Sequence, residues 1–116
     1  EQRAIDERID SVFYSDEYAA AIVRNTTGEY GSRLEVYKKD GTHVLSKEFN
    51  FEYTNADLDG DLIILYNEDS CRIYNMSGTE KLDAAFDFPV SKIRKGRFPG
   101  TLVVTGPQQM RELKLR

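Results

Sequence analysis

The sequence predicts an all-β protein built of about three short antiparallel, β-propeller-like blades. Three observations carry this. A set of residues recurs at a spacing of 37 positions. Short apolar runs alternate with glycine-centred turns. Within each repeat, one strand is apolar throughout while another alternates apolar and polar, as strands covered on two faces and on one face do.

Leu34–Gly41 (LEVYKKDG), followed by Phe49 and Phe51, matches Cys71–Gly78 (CRIYNMSG), followed by Phe86 and Phe88. Tyr37 and Tyr74, Gly41 and Gly78, Phe49 and Phe86, and Phe51 and Phe88 all share the offset of 37. Blade one spans 9–51, blade two 53–88 and a partial blade three 90–116, together one repeat domain over 1–116. A β-sandwich, with the repeats folded onto one another, is the alternative architecture.

The elements follow in order. In blade one, strands are expected at Ile9–Tyr14, Tyr18–Arg24, Arg33–Tyr37 and Val44–Phe51. The turns between them lie at Ser15–Glu17, at Asn25–Ser32 and at Lys38–Gly41. Asp40-Gly41 and Ser77-Gly78 supply residues that tolerate positive φ, as tight hairpins require. Blade two gives Thr54–Leu58, Leu62–Tyr66, Arg72–Tyr74 and Lys81–Phe88. Blade three gives Val90–Lys95, Leu102–Thr105 and Met110–Leu115, and lacks a fourth strand. The runs Ala19–Val23, Leu62–Leu65 and Leu102–Val104 are the expected doubly covered strands. Glu1–Arg8 reads either as a helical turn or as a strand left from an upstream blade.

The string Leu34–Gly41, the stretch Phe49–Asn55 and Ile73–Gly78 resemble a family of uncharacterised Firmicutes proteins. These are propeller-like domains of unknown function, typically behind an N-terminal membrane anchor. The resemblance runs from Ile9 onward, and its motifs are structural. It implies an exported bacterial location, further blades and an anchor upstream of Glu1. It brings no catalytic residue.

At 116 residues the chain can bury a core without disulfides or metal. With 40% hydrophobic and 31% charged residues it reads as soluble and globular. No apolar run reaches the ~20 residues of a membrane span. Cys71 is the single cysteine, which excludes an intrachain disulfide and a multi-cysteine zinc site. It is expected as a small buried apolar residue at the repeat position of Leu34. His43 is expected to be exposed, and with one Cys and one His far apart no nucleophilic triad is expected.

Asp57, Asp59 and Asp61, with Glu68 at the twelfth position, nearly spell a calcium loop, but Leu62 stands where an EF-hand needs glycine. A plain turn is expected. The acidic pairs Asp6/Glu7, Asp16/Glu17 and Glu68/Asp69 sit at turns, with nothing to converge two carboxyls on a scissile bond. Asn25-Thr-Thr27 and Asn75-Met-Ser77 are formal glycosylation sequons, irrelevant to a bacterial source. The tyrosines suit sugar or peptide recognition. Tyr30, in a glycine-bracketed loop, is the expected contact residue, while Tyr37 and Tyr74 are expected to pack.

Charge is uneven. The net charge is -4, yet after Phe88 the chain carries seven Lys/Arg (Lys92, Arg94, Lys95, Arg97, Arg111, Lys114, Arg116) against one acid, Glu112. The run Lys92–Phe98 is too narrow and too poor in aromatics for a nucleic-acid surface. Lys92, Arg94 and Lys95 are expected to meet a neighbouring blade or a partner.

The functional expectation is a non-enzymatic binding or scaffold module of a membrane-anchored, extracellular bacterial protein, with a protein or carbohydrate ligand. The alternative is a fragment of a carbohydrate-active enzyme whose active site lies outside this chain. No catalytic residue, cofactor or metal is expected. Fewer than three full blades leave terminal faces bare, and an uncovered face of ~500 Å² represents about 12 kcal/mol as an upper estimate. Self-association into a homodimer through the exposed faces is therefore expected, as one six-bladed ring, by stacking or by strand exchange. Charge reversal at Lys92, Arg94 and Lys95 is expected to weaken it.

Overall fold

The computed structural model describes residues 7–25 and 31–116. Among them every regular element is a strand: β1 (Glu7–Tyr14), β2 (Tyr18–Asn25), β3 (Ser32–Lys38), β4 (His43–Phe49), β5 (Asn55–Asp59), β6 (Leu62–Tyr66), β7 (Ser70–Asn75), β8 (Glu80–Ala85), β9 (Lys92–Lys95), β10 (Thr101–Thr105) and β11 (Met110–Lys114). They pair as three antiparallel meanders, β1-β2-β3-β4, β5-β6-β7-β8 and β9-β10-β11, and none closes into a barrel. The all-β, blade-like repeat read from the sequence is thus present. The chain divides into two compact units, Glu1–Phe51 and Glu52–Arg116. No helix among the described residues is long and apolar enough to cross a membrane.

The repeat extends to backbone detail. The β3–β4 ladder shifts register between Val36 and Tyr37, and the β7–β8 ladder between Ile73 and Tyr74. The Gly41 N–H donates to the Lys38 carbonyl at 2.9 Å, and the Gly78 N–H to the Asn75 carbonyl at 3.0 Å. Both glycines hold positive φ, 94° and 87°, a conformation that costs glycine little and a side chain more. Each hairpin therefore places its bulge and its turn at repeat-equivalent positions, which fixes the faces of the flanking strands alike.

In the first unit, Phe13, Ala20, Ile22, Leu34, Val36, Leu45 and Phe49 are buried. Strand alternation puts these residues on one face of β1–β4 and leaves the other open. The second unit is two packed sheets. Leu62, Ile64, Tyr66, Cys71 and Ile73 of β5–β8 form one core cluster with Ile93, Leu102 and Val104 of β9–β11 and with Phe88 from the link. All five residues of β6 are buried, as its unbroken apolar run requires. The equivalent runs in β2 and β10 alternate buried with half-buried residues.

Two strands end earlier than the sequence pattern suggests. β4 stops at Phe49 and β8 at Ala85, so Phe51, Phe86 and Phe88 lie beyond their ladders. The Phe86 N–H turns to the Asp69 carbonyl at 2.8 Å, and the Val90 N–H to the Glu68 carbonyl at 2.8 Å. Phe86 packs on the cluster and Phe88 belongs to it. Their alternation continues past the strand because the link is itself tethered along the core. Gly106 lies against this link: a Cβ there would stand 2.7 Å from the Pro89 carbonyl oxygen.

Candidate functional site

The open face of β1–β4 is read directly from the register. Tyr14 lies opposite Ala19, which lies opposite Tyr37, which lies opposite His43. The next row is Val12, Ala21, Glu35 and Ser46, and beyond it come Ile9, Val23, Arg33 and Glu48. One half of the face is apolar and bare, with Ile9 67%, Val12 49%, Tyr14 64% and Tyr37 40% exposed. Tyr14 and Tyr37 flank a small alanine, so their backbones stand two strand spacings apart, about 10 Å. The Lys39 ammonium sits 5.4 Å from the Tyr14 ring centre.

The other half is polar and ordered around Glu35. Its carboxylate accepts from Arg33 Nε at 2.6 Å and Ser46 Oγ at 2.9 Å, and meets His43 Nε2 at 3.0 Å. The His43 ring stacks edge-on against Tyr37 at 5.1 Å. Burial alone would raise the Glu35 pKa, but the hydrogen bonds from His43, Ser46 and Arg33 outweigh it and hold the carboxyl below its ordinary value. His43, expected only as an exposed residue after the Gly41 turn, is thus part of an ordered cluster. The signal that unites the four was the hairpin register around Asp40-Gly41, which brings Glu35 opposite Ser46.

The basic strand β9 behaves differently from one residue to the next. The Lys95 N–H donates to Asp59 Oδ2 at 2.8 Å, its ammonium lies 3.5 Å from Asp61, and the Lys92 ammonium lies 3.8 Å from Asp57. Of the three cations expected to meet a neighbouring blade or a partner, Lys92 and Lys95 are therefore engaged with the neighbouring sheet inside the second unit. The same contacts bear on the calcium-like loop, since lysine ammonium groups lie beside Asp57 and Asp61. Gly60 packs so closely that a Cβ would stand 2.9 Å from Lys95 Nζ. Arg111 reaches Asp87 at 3.5 Å and lies 5.2 Å over the Phe88 ring, and Arg116 reaches Glu80 at 3.7 Å.

Arg94 alone of the three forms no ion pair with a described residue. It opens on a depression of about 570 Å³ lined by Arg94, Lys95, Arg97, Val103, Met110 and Glu112. The register sets Arg94, Val103 and Glu112 in one row of β9–β11, and Lys92, Thr105 and Met110 in the next. This is the sheet's outer face, opposite Ile93, Leu102 and Val104.

The remaining expectations are placed as follows. Tyr30 and Asp6 lie outside the described residues. Asp16 and Glu17 rim a shallow depression with Lys38 and Lys39, and Glu68 and Asp69 rim another with Phe86 and Phe88. Cys71 is fully buried, and burial pushes its thiol up to about 12. Asn75 Oδ1 accepts from the Ser77 and Thr79 N–H groups at 3.1 and 2.9 Å, so this sequon residue organises a turn. Tyr74 packs as expected, 2% exposed and with its pKa raised by burial, whereas its repeat partner Tyr37 stays on the open face.

The sequence model of a family of unknown function, DUF5711, matches residues 1–115. The chain belongs to this family. No curated protein matches this DUF5711 chain.

Proposed function

We propose that this DUF5711 domain is a non-enzymatic binding or scaffold module of a bacterial cell-surface protein. The observation that carries the reading is the open face of β1–β4. Ile9, Val12, Tyr14 and Tyr37 form an exposed apolar patch beside the ordered Glu35 cluster. Contiguous exposed apolar surface rimmed by polar groups marks interaction sites. Exposed tyrosines offer a flat apolar face and a hydroxyl, which suits a sugar ring or a peptide. The exported, membrane-anchored setting rests on the family resemblance described above.

The test is a glycan array read for retention of the protein, with mass spectrometry of the same mixtures read for turnover. Retention that is lost in Tyr14→Ala, without new product masses, is the expected result. A new product mass would overturn the non-enzymatic reading in favour of a carbohydrate-active enzyme.

A further inference from the structure

We infer that the open face of β1–β4 is covered in solution by the outer face of β9–β11 from a second copy of this chain. The inference rests on the binding-module reading and names the partner of that face.

The repeat itself says that this face is meant to be covered. Tyr37 lies on it, and at the offset of 37 its equivalent is Tyr74, which is 2% exposed. Ile63 lies opposite Tyr74 in the ladder and is likewise fully buried. The same face of the repeat is thus buried in β5–β8 and bare in β1–β4. In the second unit β9–β11 covers the opposite face of β5–β8, with Ile93 against the Ile64 and Ile73 side, and keeps its own outer face open.

The outer face of β9–β11 has the complementary character. Met110 is 70% exposed beside Val103 in the open depression, giving apolar surface to meet Val12 and Tyr14. Arg94, Arg97 and Lys114 form no ion pair with a described residue, and Glu48 on the open β1–β4 face forms none either. The basic face therefore meets a face on which Glu48 is the uncompensated carboxylate, Glu35 and Arg33 being paired with each other. Size agrees. Strand spacing and rise give each face roughly 300 Å² in projection, so two reciprocal pairings bury about 1,200 Å². That reaches the lower end of specific, stable interfaces. The pairing is heterologous, one face against a different one, and closes when each copy supplies both.

The experiment is light scattering after size exclusion across a dilution series of the whole chain. The wild type is expected at twice the chain mass of 13.3 kDa. Val12→Asp and Met110→Asp, each at an exposed position, are expected at the single-chain mass with unchanged circular dichroism. Mixing the two variants is expected to raise the mass above that of either alone, because together they retain one intact copy of each face and so one of the two pairings. A wild type at the single-chain mass throughout would overturn the inference. So would a Met110→Asp chain that pairs like wild type, since the β1–β4 face would then be meeting something other than β9–β11. A single-chain wild type that is still retained on glycans removes the self-pairing and leaves the binding module standing.

Discussion

Lys95 donates its backbone N–H to the Asp59 carboxylate at 2.8 Å, across 36 residues of sequence. Its ammonium reaches Asp61 in the same turn at 3.5 Å. This contact ties the edge strand of β9–β11 to the β5–β6 turn and takes up the charge of a loop that resembles a calcium site. Replacing Asp59 by alanine is expected to lower stability by about 1 kcal/mol, the ordinary net worth of an exposed hydrogen bond to a charged group. A fall in the urea midpoint without a change of slope would register it. Added calcium is expected to leave the melting temperature unchanged, because lysine ammonium groups already lie beside the carboxylates.

Gly106→Ala is expected to destabilise the second unit by about 1–3 kcal/mol through overpacking. The added Cβ would meet the Pro89 carbonyl oxygen at 2.7 Å and Phe88 Cδ2 at 2.8 Å. Backbone cannot move aside as a flexible side chain does. Urea unfolding of the variant checks it, and an unchanged midpoint would mean that the Phe88–Pro89 link does not lie against Gly106.

Glu35 gives the first unit an acid-dependent component of stability. Its folded pKa lies below the ordinary value of 4.5. The contribution is therefore complete above the unfolded pKa and is lost as pH falls through the folded one. Glu35→Gln is expected to be less stable than wild type at neutral pH, with the gap closing below pH 4.5. Urea melts of both proteins across acid pH measure this. A gap independent of pH would show that the hydrogen bonds act without the charge.

Ile93 and Val12 are both apolar residues on the first strand of a sheet, and they separate covered from bare positions. Ile93→Ala removes a fully buried side chain and is expected to cost about 2–5 kcal/mol. Val12→Ala, at a half-exposed position, is expected to change the stability of a single chain by less than about 0.5 kcal/mol. Thermal or urea unfolding at high dilution compares them.

Most of the fold was legible because the repeat carries its own punctuation. Gly41 and Gly78 mark the hairpins, and the apolar runs mark the central strands. The ends of β4 and β8 were not legible, because Phe51, Phe86 and Phe88 keep a strand-like alternation after the strands have ended. The surface was legible only in part. Sequence gave the sign of Lys92 and Lys95 but not their partners, since Asp57, Asp59 and Asp61 lie far away along the chain. Tyr37 and Tyr74 match in sequence and differ in burial because burial depends on what lies against each sheet. Strand parity does not carry that information.

The central claim is that β1–β4 keeps a face that no described residue of its own chain covers, while the two sheets of the second unit are closed on each other. Thiol counting in a Val12→Cys chain tests both halves at once, with native Cys71 as the buried reference. One thiol is expected to react at once with Ellman's reagent in dilute native protein. The second is expected only on unfolding, because Cys71 is fully buried with its pKa pushed up to about 12. No fast thiol at a dilution where light scattering gives the single-chain mass would contradict the bare face, and two fast thiols would contradict the closed pair of sheets.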